Sequence, residues 1–249
     1  MTVNDIFDYL NSLYPVNTAC DFDNPGILVG DKSSEVQRAV ISLDCTDSSM
    51  EKAVENRCQL IITHHPVIFE PLKNVLSDSP VYRLIKNGIS VISMHTNLDI
   101  GKGGVNDTLC EVLGLKNTEK YSADDGFPLN TGLLPVQMTP EQLAGYIKEK
   151  LGGHIKYSSG KKNINRVLVC SGSGGSYFTE LIRSGCDALI TADVKHNVFI
   201  DAARLGKSVF DAGHFETEDI VVNRLNDMLC GHFKNIEFFT DHTSGIKYE

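Results

Sequence analysis

The stretch Ala39-Val40-Ile41-Ser42-Leu43, followed by Ser48 to Cys58 and then Leu60-Ile61-Ile62-Thr63-His64-His65-Pro66, decides the fold. Two short apolar runs flank a segment with helical periodicity, a strand-helix-strand unit that calls for parallel strands. A second copy lies further along: Val167-Leu168-Val169-Cys170 as strand, Tyr177 to Gly185 as helix, and Ala188-Leu189-Ile190-Thr191 as strand. At a constant offset of 128 residues, Arg38 falls on Arg166, Ser48 on Ser176, Cys58 on Cys186 and Ile62-Thr63 on Ile190-Thr191. Each unit is followed, after a glycine, by a further apolar strand: Ile89 to Met94, and Ser208-Val209-Phe210. These lead into His95-Thr96-Asn97-Leu98-Asp99 and His214-Phe215-Glu216-Thr217-Glu218, so a His-x-x-x-carboxylate segment appears twice, offset by 119. The chain reads as a duplicated α/β fold: two related lobes built on duplicated βαβ units with mostly parallel sheets. The expected boundaries are a first lobe over residues 1–120, a connecting segment over 121–163 with one helix at Pro140 to Leu151, and a second lobe over 164–249. An opening helix is expected across Asn4 to Leu13, closed by Tyr14-Pro15, with a turn at Asp21 to Gly26.

Parallel sheets bind ligands beyond the carboxyl ends of their strands. His64, His65, Asp99, His214 and Glu218 all follow apolar strands, so one cleft between the lobes can gather them. Pro66 disfavours continuing the ladder past His65, which lets both adjacent imidazoles turn toward one site. Imidazole and carboxylate suit zinc, iron, manganese or cobalt, and a bridging carboxylate offsets the repulsion between two dications. Either Asp99 or Glu218 can serve as that bridge. His95 is expected to orient Asp99 or touch substrate. His196, in Thr191-Ala192-Asp193-Val194-Lys195-His196, is a further candidate for lining the cleft. The loop Ser171-Gly172-Ser173-Gly174-Gly175-Ser176 follows a strand and opens a helix, but lacks the Lys-Ser/Thr of a P-loop and the Gly-x-Gly-x-x-Gly spacing. Close packing of strand on helix explains it at least as well as anion binding does. Gly101-Lys102-Gly103-Gly104 reads as a flexible connection in which Lys102 is a candidate phosphate contact.

Composition narrows the function classes. The chain has 249 residues, 41% hydrophobic and 22% charged, with a formal net charge of −9. That length supports two lobes of roughly 100–150 residues each. The negative field argues against broad nucleic-acid binding and favours a small-molecule substrate or a protein partner. No apolar run approaches the roughly 20 residues a membrane span needs. The N-terminus lacks the layout of a secretory signal. Seven scattered cysteines without a Cys-x-x-Cys pair fit reduced thiols, so the expected location is cytoplasmic and metal binding falls to histidine and carboxylate.

The motifs Asp23-Asn24-Pro25-Gly26, Ile61-Ile62-Thr63-His64-His65-Pro66, His95-Thr96-Asn97-Leu98-Asp99, Gly172-Ser173-Gly174-Gly175, Thr191-Ala192-Asp193-Val194-Lys195-His196 and Gly213-His214-Phe215-Glu216-Thr217-Glu218 resemble, in that order, the Nif-three-like dinuclear metal-binding proteins. These are often labelled GTP cyclohydrolase 1 type 2 homologs. The resemblance implies that His64, His65, Asp99, His214 and Glu218 bind two metal ions with Glu218 as bridge, in a subunit that assembles into a toroidal homohexamer. It departs at Phe22, where the family often has tryptophan, at Pro25 after Asn24, and at Thr191-Ala192-Asp193 in place of Thr-Gly-Glu. The extra domain of longer members is not expected here. Two functions follow: a metal-dependent hydrolase of a nucleotide-like, phosphoester or cyclic-amide substrate, and a non-catalytic metal-binding regulatory scaffold.

Overall fold

A computed structural model describes residues 1–160 and 163–247. These divide into two compact units, Met1–Lys102 with Val221–Glu249, and Gly103–Ile220. The first contains α1 (Val3–Leu13), β1 (Gly26–Val29), β2 (Arg38–Ser42), α2 (Asp47–Glu55), β3 (Leu60–Thr63), α3 (Pro80–Lys86), β4 (Ser90–Ser93) and α4 (Thr96–Ile100). In the second lie α5 (Val105–Val112), β5 (Lys116–Ser122), β6 (Pro128–Met138), α6 (Pro140–Leu151), β7 (Lys156–Tyr157), β8 (Ile164–Ser173), α7 (Phe178–Arg183), β9 (Ala188–Ala192), α8 (His196–Arg204), β10 (Ser208–Asp211) and α9 (His214–Glu218). Most of α10 (Ile220–His232), and all of β11 (Glu237–Asp241), return to the first unit.

The first sheet runs β1-β4-β3-β2-β11. Its four strands from β4 to β11 are mutually parallel, and β1 joins the β4 edge antiparallel. The second sheet runs β5-β6-β8-β9-β10-β7, with a parallel β8-β9-β10 core and antiparallel β5, β6 and β7 around it. Both cores keep the same register. Ala39 pairs with Leu60 and Val40 with Ile61; 128 residues on, Val167 pairs with Ala188 and Leu168 with Leu189.

The central parallel strands β2, β3, β4, β9 and β10 and the middle of β8 are mostly apolar and buried because both their faces are covered, as parallel sheets require. In the second unit Val167, Val169 and Ile190 pack with Leu109, Leu143 and Ile147, from α5 and α6. Leu168, Cys170 and Leu189 face the opposite way, against Leu181 and Ala202 from α7 and α8. In the first unit Val40, Ile61 and Val91 pack on Met50 and Ala53 of α2 and Val81 and Leu84 of α3. Ile41, Ile62 and Ile92, which alternate to the other face, are fully buried too. Helix starts are chemically marked. Thr2 caps α1 by accepting from the Asp5 amide while Asp5 accepts from the Thr2 amide, and Thr139 with Gln142 forms the same box ahead of Pro140. No helix among the described residues is long and apolar enough to cross a membrane.

The observed lobe boundaries differ from the expected ones in three ways, the first being that residues 103–120, with α5 and the start of β5, belong to the second unit and not the first. Residues 121–163 are no mere connection: β6 pairs with both β5 and β8, and α6 covers the second sheet's core. The last strand belongs to the first lobe because Glu237 to Asp241 pair in parallel with Arg38 to Ser42. The β6–β8 and β11–β2 pairings join segments distant in sequence and so leave no local periodicity signal.

The duplication also exposes a local difference in stability. Gly185 ends the α7 turn with φ +69°, and its equivalent after α2 is Arg57, with φ +52°. The left-handed backbone costs a non-glycine residue roughly 1–2 kcal/mol. A Cβ at Gly185 would meet nothing within 4 Å, so only backbone strain opposes a side chain there. Gly185→Ala is therefore expected to lower stability by about 1 kcal/mol, and Arg57→Gly to raise it by roughly 0.5–1 kcal/mol, in denaturant unfolding. Equal stabilities for all three proteins would refute this account.

Candidate metal centre

In the first unit β3 ends at Thr63, and the next two residues are His64 and His65. The Thr63 hydroxyl donates to the His65 carbonyl at 2.7 Å and lies 2.7 Å from Ser93 Oγ, and the His65 amide donates to the Leu43 carbonyl at 3.0 Å. These bonds turn the chain at the strand end, so neighbouring imidazoles need not face opposite ways. Their ring centroids are 4.9 Å apart. His95, at the N-cap of α4, brings a third ring to 5.2 Å from His64 and 5.6 Å from His65. One ligating atom from each of the three lies within 4.8 Å of the others, a spacing suited to a metal ion. Asp99 Oδ1 sits 3.5 Å from His64 Nε2, and both residues are buried.

Each ring is oriented through Nδ1. His64 Nδ1 lies 2.8 Å from the Met94 carbonyl, His65 Nδ1 2.7 Å from Asp44 Oδ1, and His95 Nδ1 2.6 Å from Asp23 Oδ1. A carbonyl or carboxylate oxygen accepts only, so Nδ1 carries the proton and Nε2 presents the lone pair a metal needs. Asp23 also receives the Thr96 amide and hydroxyl. Burial raises its pKa, but the hydrogen bonds from His95 and Thr96 outweigh this and hold it at about 2. It is a fixed carboxylate at neutral pH.

In the second unit His214 and Glu218 begin and end α9 and share one face, with His214 Nε2 2.9 Å from Glu218 Oε2. His214 Nδ1 bonds Asp193 Oδ2 at 2.7 Å. The hydrogen bond to Glu218 pushes the His214 pKa up, burial opposes it, and Asp193 adds to the rise, leaving it at about 9. Without a competing cation this pair holds a proton, which a bound metal displaces. Asp193 takes a left-handed backbone at φ +52°, a conformation that aspartate tolerates better than most side chains.

The glycine-rich loop forms the floor under this pair. Gly172 has φ +56°, and a Cβ there would lie 1.9 Å from Glu218 Oε1 and 3.2 Å from His214 Nε2. Its amide donates to the Thr217 hydroxyl at 3.0 Å, and its carbonyl accepts from the Thr191 hydroxyl at 3.1 Å. The missing side chain makes room for a carboxylate of the protein itself.

Of the residues singled out in the sequence, His64, His65 and Asp99 gather in the first unit, and His214 and Glu218 in the second. His95 does not orient Asp99 through its ring, which goes to Asp23; it joins the imidazole cluster instead. His196 begins α8 as an exposed residue and belongs to none of the metal-ligating groups found among the described residues. Sequence reasoning missed the orienting carboxylates Asp23, Asp44 and Asp193. Asp44 and Asp193 each stand within two residues of a strand end, which is the one signal that could have marked them. No cysteine belongs to the metal-ligating groups found among the described residues, and burial pushes the Cys45 and Cys110 thiols up to about 12 and Cys58 up to about 11.

Comparison with known proteins identifies the chain's relatives. A Clostridium perfringens protein named GTP cyclohydrolase 1 type 2 homolog is 32% identical over 260 residues, covering 100% of this chain and 99% of its own. A hypothetical protein of Staphylococcus aureus superposes with a TM-score of 0.91 at 27% identity, over 100% of this chain and 99% of that one. Reduced HcgD from Methanocaldococcus jannaschii gives 0.84 at 27% identity, over 96% and 97% of the two chains. With a family model matching residues 1–244 as well, the chain belongs to the Duf34/NIF3 (NGG1p interacting factor 3) family.

Proposed function

We propose that His64, His65, Asp99, His214 and Glu218 together hold two divalent ions, with Glu218 as the bridging carboxylate, in a metal-dependent hydrolase of a small nucleotide-like, phosphoester or cyclic-amide substrate. The observation that carries the reading is the uniform Nδ1 bonding of His64, His65 and His214 to a carbonyl or carboxylate, the arrangement that fixes the tautomer of metal-binding histidines. The Gly172 cradle, which admits the Glu218 carboxylate and would exclude it if a Cβ were present, supports it further. The donor set of imidazole and carboxylate suits zinc, iron, manganese or cobalt. Such ions, when bound, supply Lewis acidity that brings water's pKa toward neutrality and polarises a substrate oxygen.

The chain's own part is positional. Asp44, Asp193 and the Met94 carbonyl hold the rings in register, so little reorganisation accompanies binding. His95, held by Asp23 beside His64 and His65, is placed to contact substrate or to accept a proton at Nε2. The cytoplasm and a homohexamer are the proposed setting; light scattering on the 27.4 kDa chain tests the second.

The family's description as an interacting factor supports a second reading, a metal-binding scaffold that acts through protein partners. Pull-downs with and without a chelator separate the two: a metal-dependent partner with no turnover on a nucleotide, phosphoester and cyclic-amide panel favours the scaffold, whereas turnover without such a partner favours the hydrolase.

Elemental analysis tests the ligands. His64→Ala and Glu218→Ala are expected to lose at least half of the wild-type metal, and unchanged content in both would sink the assignment. The orienting groups should matter less. Asp44→Asn and Asp193→Asn are expected to weaken metal binding by roughly 10–100-fold in competition with a chromogenic chelator, while unfolding at the wild-type temperature. Gly172→Ala should reduce metal content because its Cβ would occupy the place of Glu218 Oε1, 1.9 Å away; full occupancy in that variant would refute the cradle.

A further inference from the structure

Two phenyl rings stand exposed beside the imidazole cluster of the first unit. Phe22 is 68% exposed and Phe69 44%. Their centroids are 6.3 Å apart, and Phe69 meets His95 edge-on at 6.0 Å, so a run of rings leads from solvent to the histidines. The placement is braced rather than loose. Asn24 Nδ2, two residues after Phe22, donates to the carbonyl of Ile68, the residue before Phe69, at 2.7 Å. Asp23, the neighbour of Phe22, is itself tied to His95 and to Thr96. One turn therefore carries both the orienting carboxylate of His95 and the outer ring.

We infer that Phe22 and Phe69 form a stacking platform that binds the flat heteroaromatic ring of the substrate and presents it to the His64-His65-His95 cluster. The inference rests on the metal-dependent reading above and selects, among its substrate classes, those that carry a planar nitrogen heterocycle. A flat ring can cover the exposed face of a phenyl side chain whatever its hydrogen-bonding edge, and base-on-aromatic stacking contributes without demanding a particular base. A saturated sugar phosphate has no such face. The two rings are tilted by 57°, which leaves no parallel slot between them. The ligand ring is accordingly expected to lie over the pair, with its polar edge directed to the imidazoles. Edge-on contact with His95 makes Phe69 the inner member and Phe22 the outer one.

The test uses the metal-loaded full chain and two probes that share a sugar phosphate but differ in the base, guanosine 5′-monophosphate and ribose 5-phosphate, titrated calorimetrically. The nucleotide should bind at least ~10-fold more tightly, and the Phe22→Ala/Phe69→Ala double variant should abolish that difference with metal content unchanged. Phe22→Trp should retain or strengthen the preference. Equal affinities in the wild type, a preference that survives the double variant, or a double variant whose main change is in oligomeric mass would overturn the platform. Metal content is measured on the same samples. Its absence from wild type counts against the metal-dependent reading, whereas full metal with no base preference counts against the platform alone.

Discussion

Parallel pairing of β2, β3 and β4, and of β8, β9 and β10, is the constraint on which everything else depends. Parallel strands start at one edge and end at the other, so every carboxyl-terminal loop of a sheet emerges on the same side. His64 and His65 leave β3 at that edge, and His95 follows β4 there. In the second unit the Gly172 loop ends β8, Asp193 follows β9, and His214 follows β10. Shifting a strand by one residue would reverse its side chains and move its loop along the edge, so the register of the parallel pairs fixes where these residues emerge.

A second layer of hydrogen bonds fixes how the gathered rings are oriented. Imidazoles at a strand end have rotational freedom that a metal site must remove, and here a hydrogen bond at Nδ1 removes it for each ring. Three of the four acceptors are aspartates. Their charge raises the basicity of the opposite nitrogen and helps offset the cation that nitrogen would bind. The cost of burying carboxylates such as Asp23 is met locally, by the Thr96 amide and hydroxyl.

The elements legible in the sequence were those with short-range signatures. The strand at Leu60 to Thr63 and the helix at Pro140 to Leu151 coincide with expectation, because an unbroken apolar run and a Thr-Pro helix start speak for themselves. The offset of 128 carried more information than any single motif, since it predicts the register the two sheets share. What stayed hidden was non-local. Nothing near Glu237 announces that β11 pairs with Arg38 to Ser42, and nothing near Asp23 announces that it holds a histidine 72 positions away. The glycine loop was visible, but its reason was not: the group it admits is a side chain from a helix far along the chain.

The two halves have diverged at the positions that matter most, and in a complementary way. Under the same offset Asp44 corresponds to Gly172, and His65 to Asp193. In the first half the pair is a carboxylate orienting an imidazole, Asp44 on His65. In the second, the loop position is a glycine whose missing side chain leaves room for Glu218, and the strand-end position is the carboxylate that orients His214. The helix that follows has shifted as well. Ser208 pairs with Ala188 as Ser90 pairs with Leu60, an offset of 118 for β4 and β10, yet His95 and His214 differ by 119, so the second unit has one more residue between strand and histidine. Gly213, with φ +88°, stands immediately before His214 in that longer turn. There His214 turns its two nitrogens to Asp193 and Glu218, whereas His95 takes its acceptor from the N-terminal turn at Asp23. The same strand ends thus present an imidazole-rich face in one unit and a carboxylate-anchored imidazole in the other. Neither donor set repeats the other, so the duplicated scaffold carries a different set of potential ligands at the strand ends of each unit.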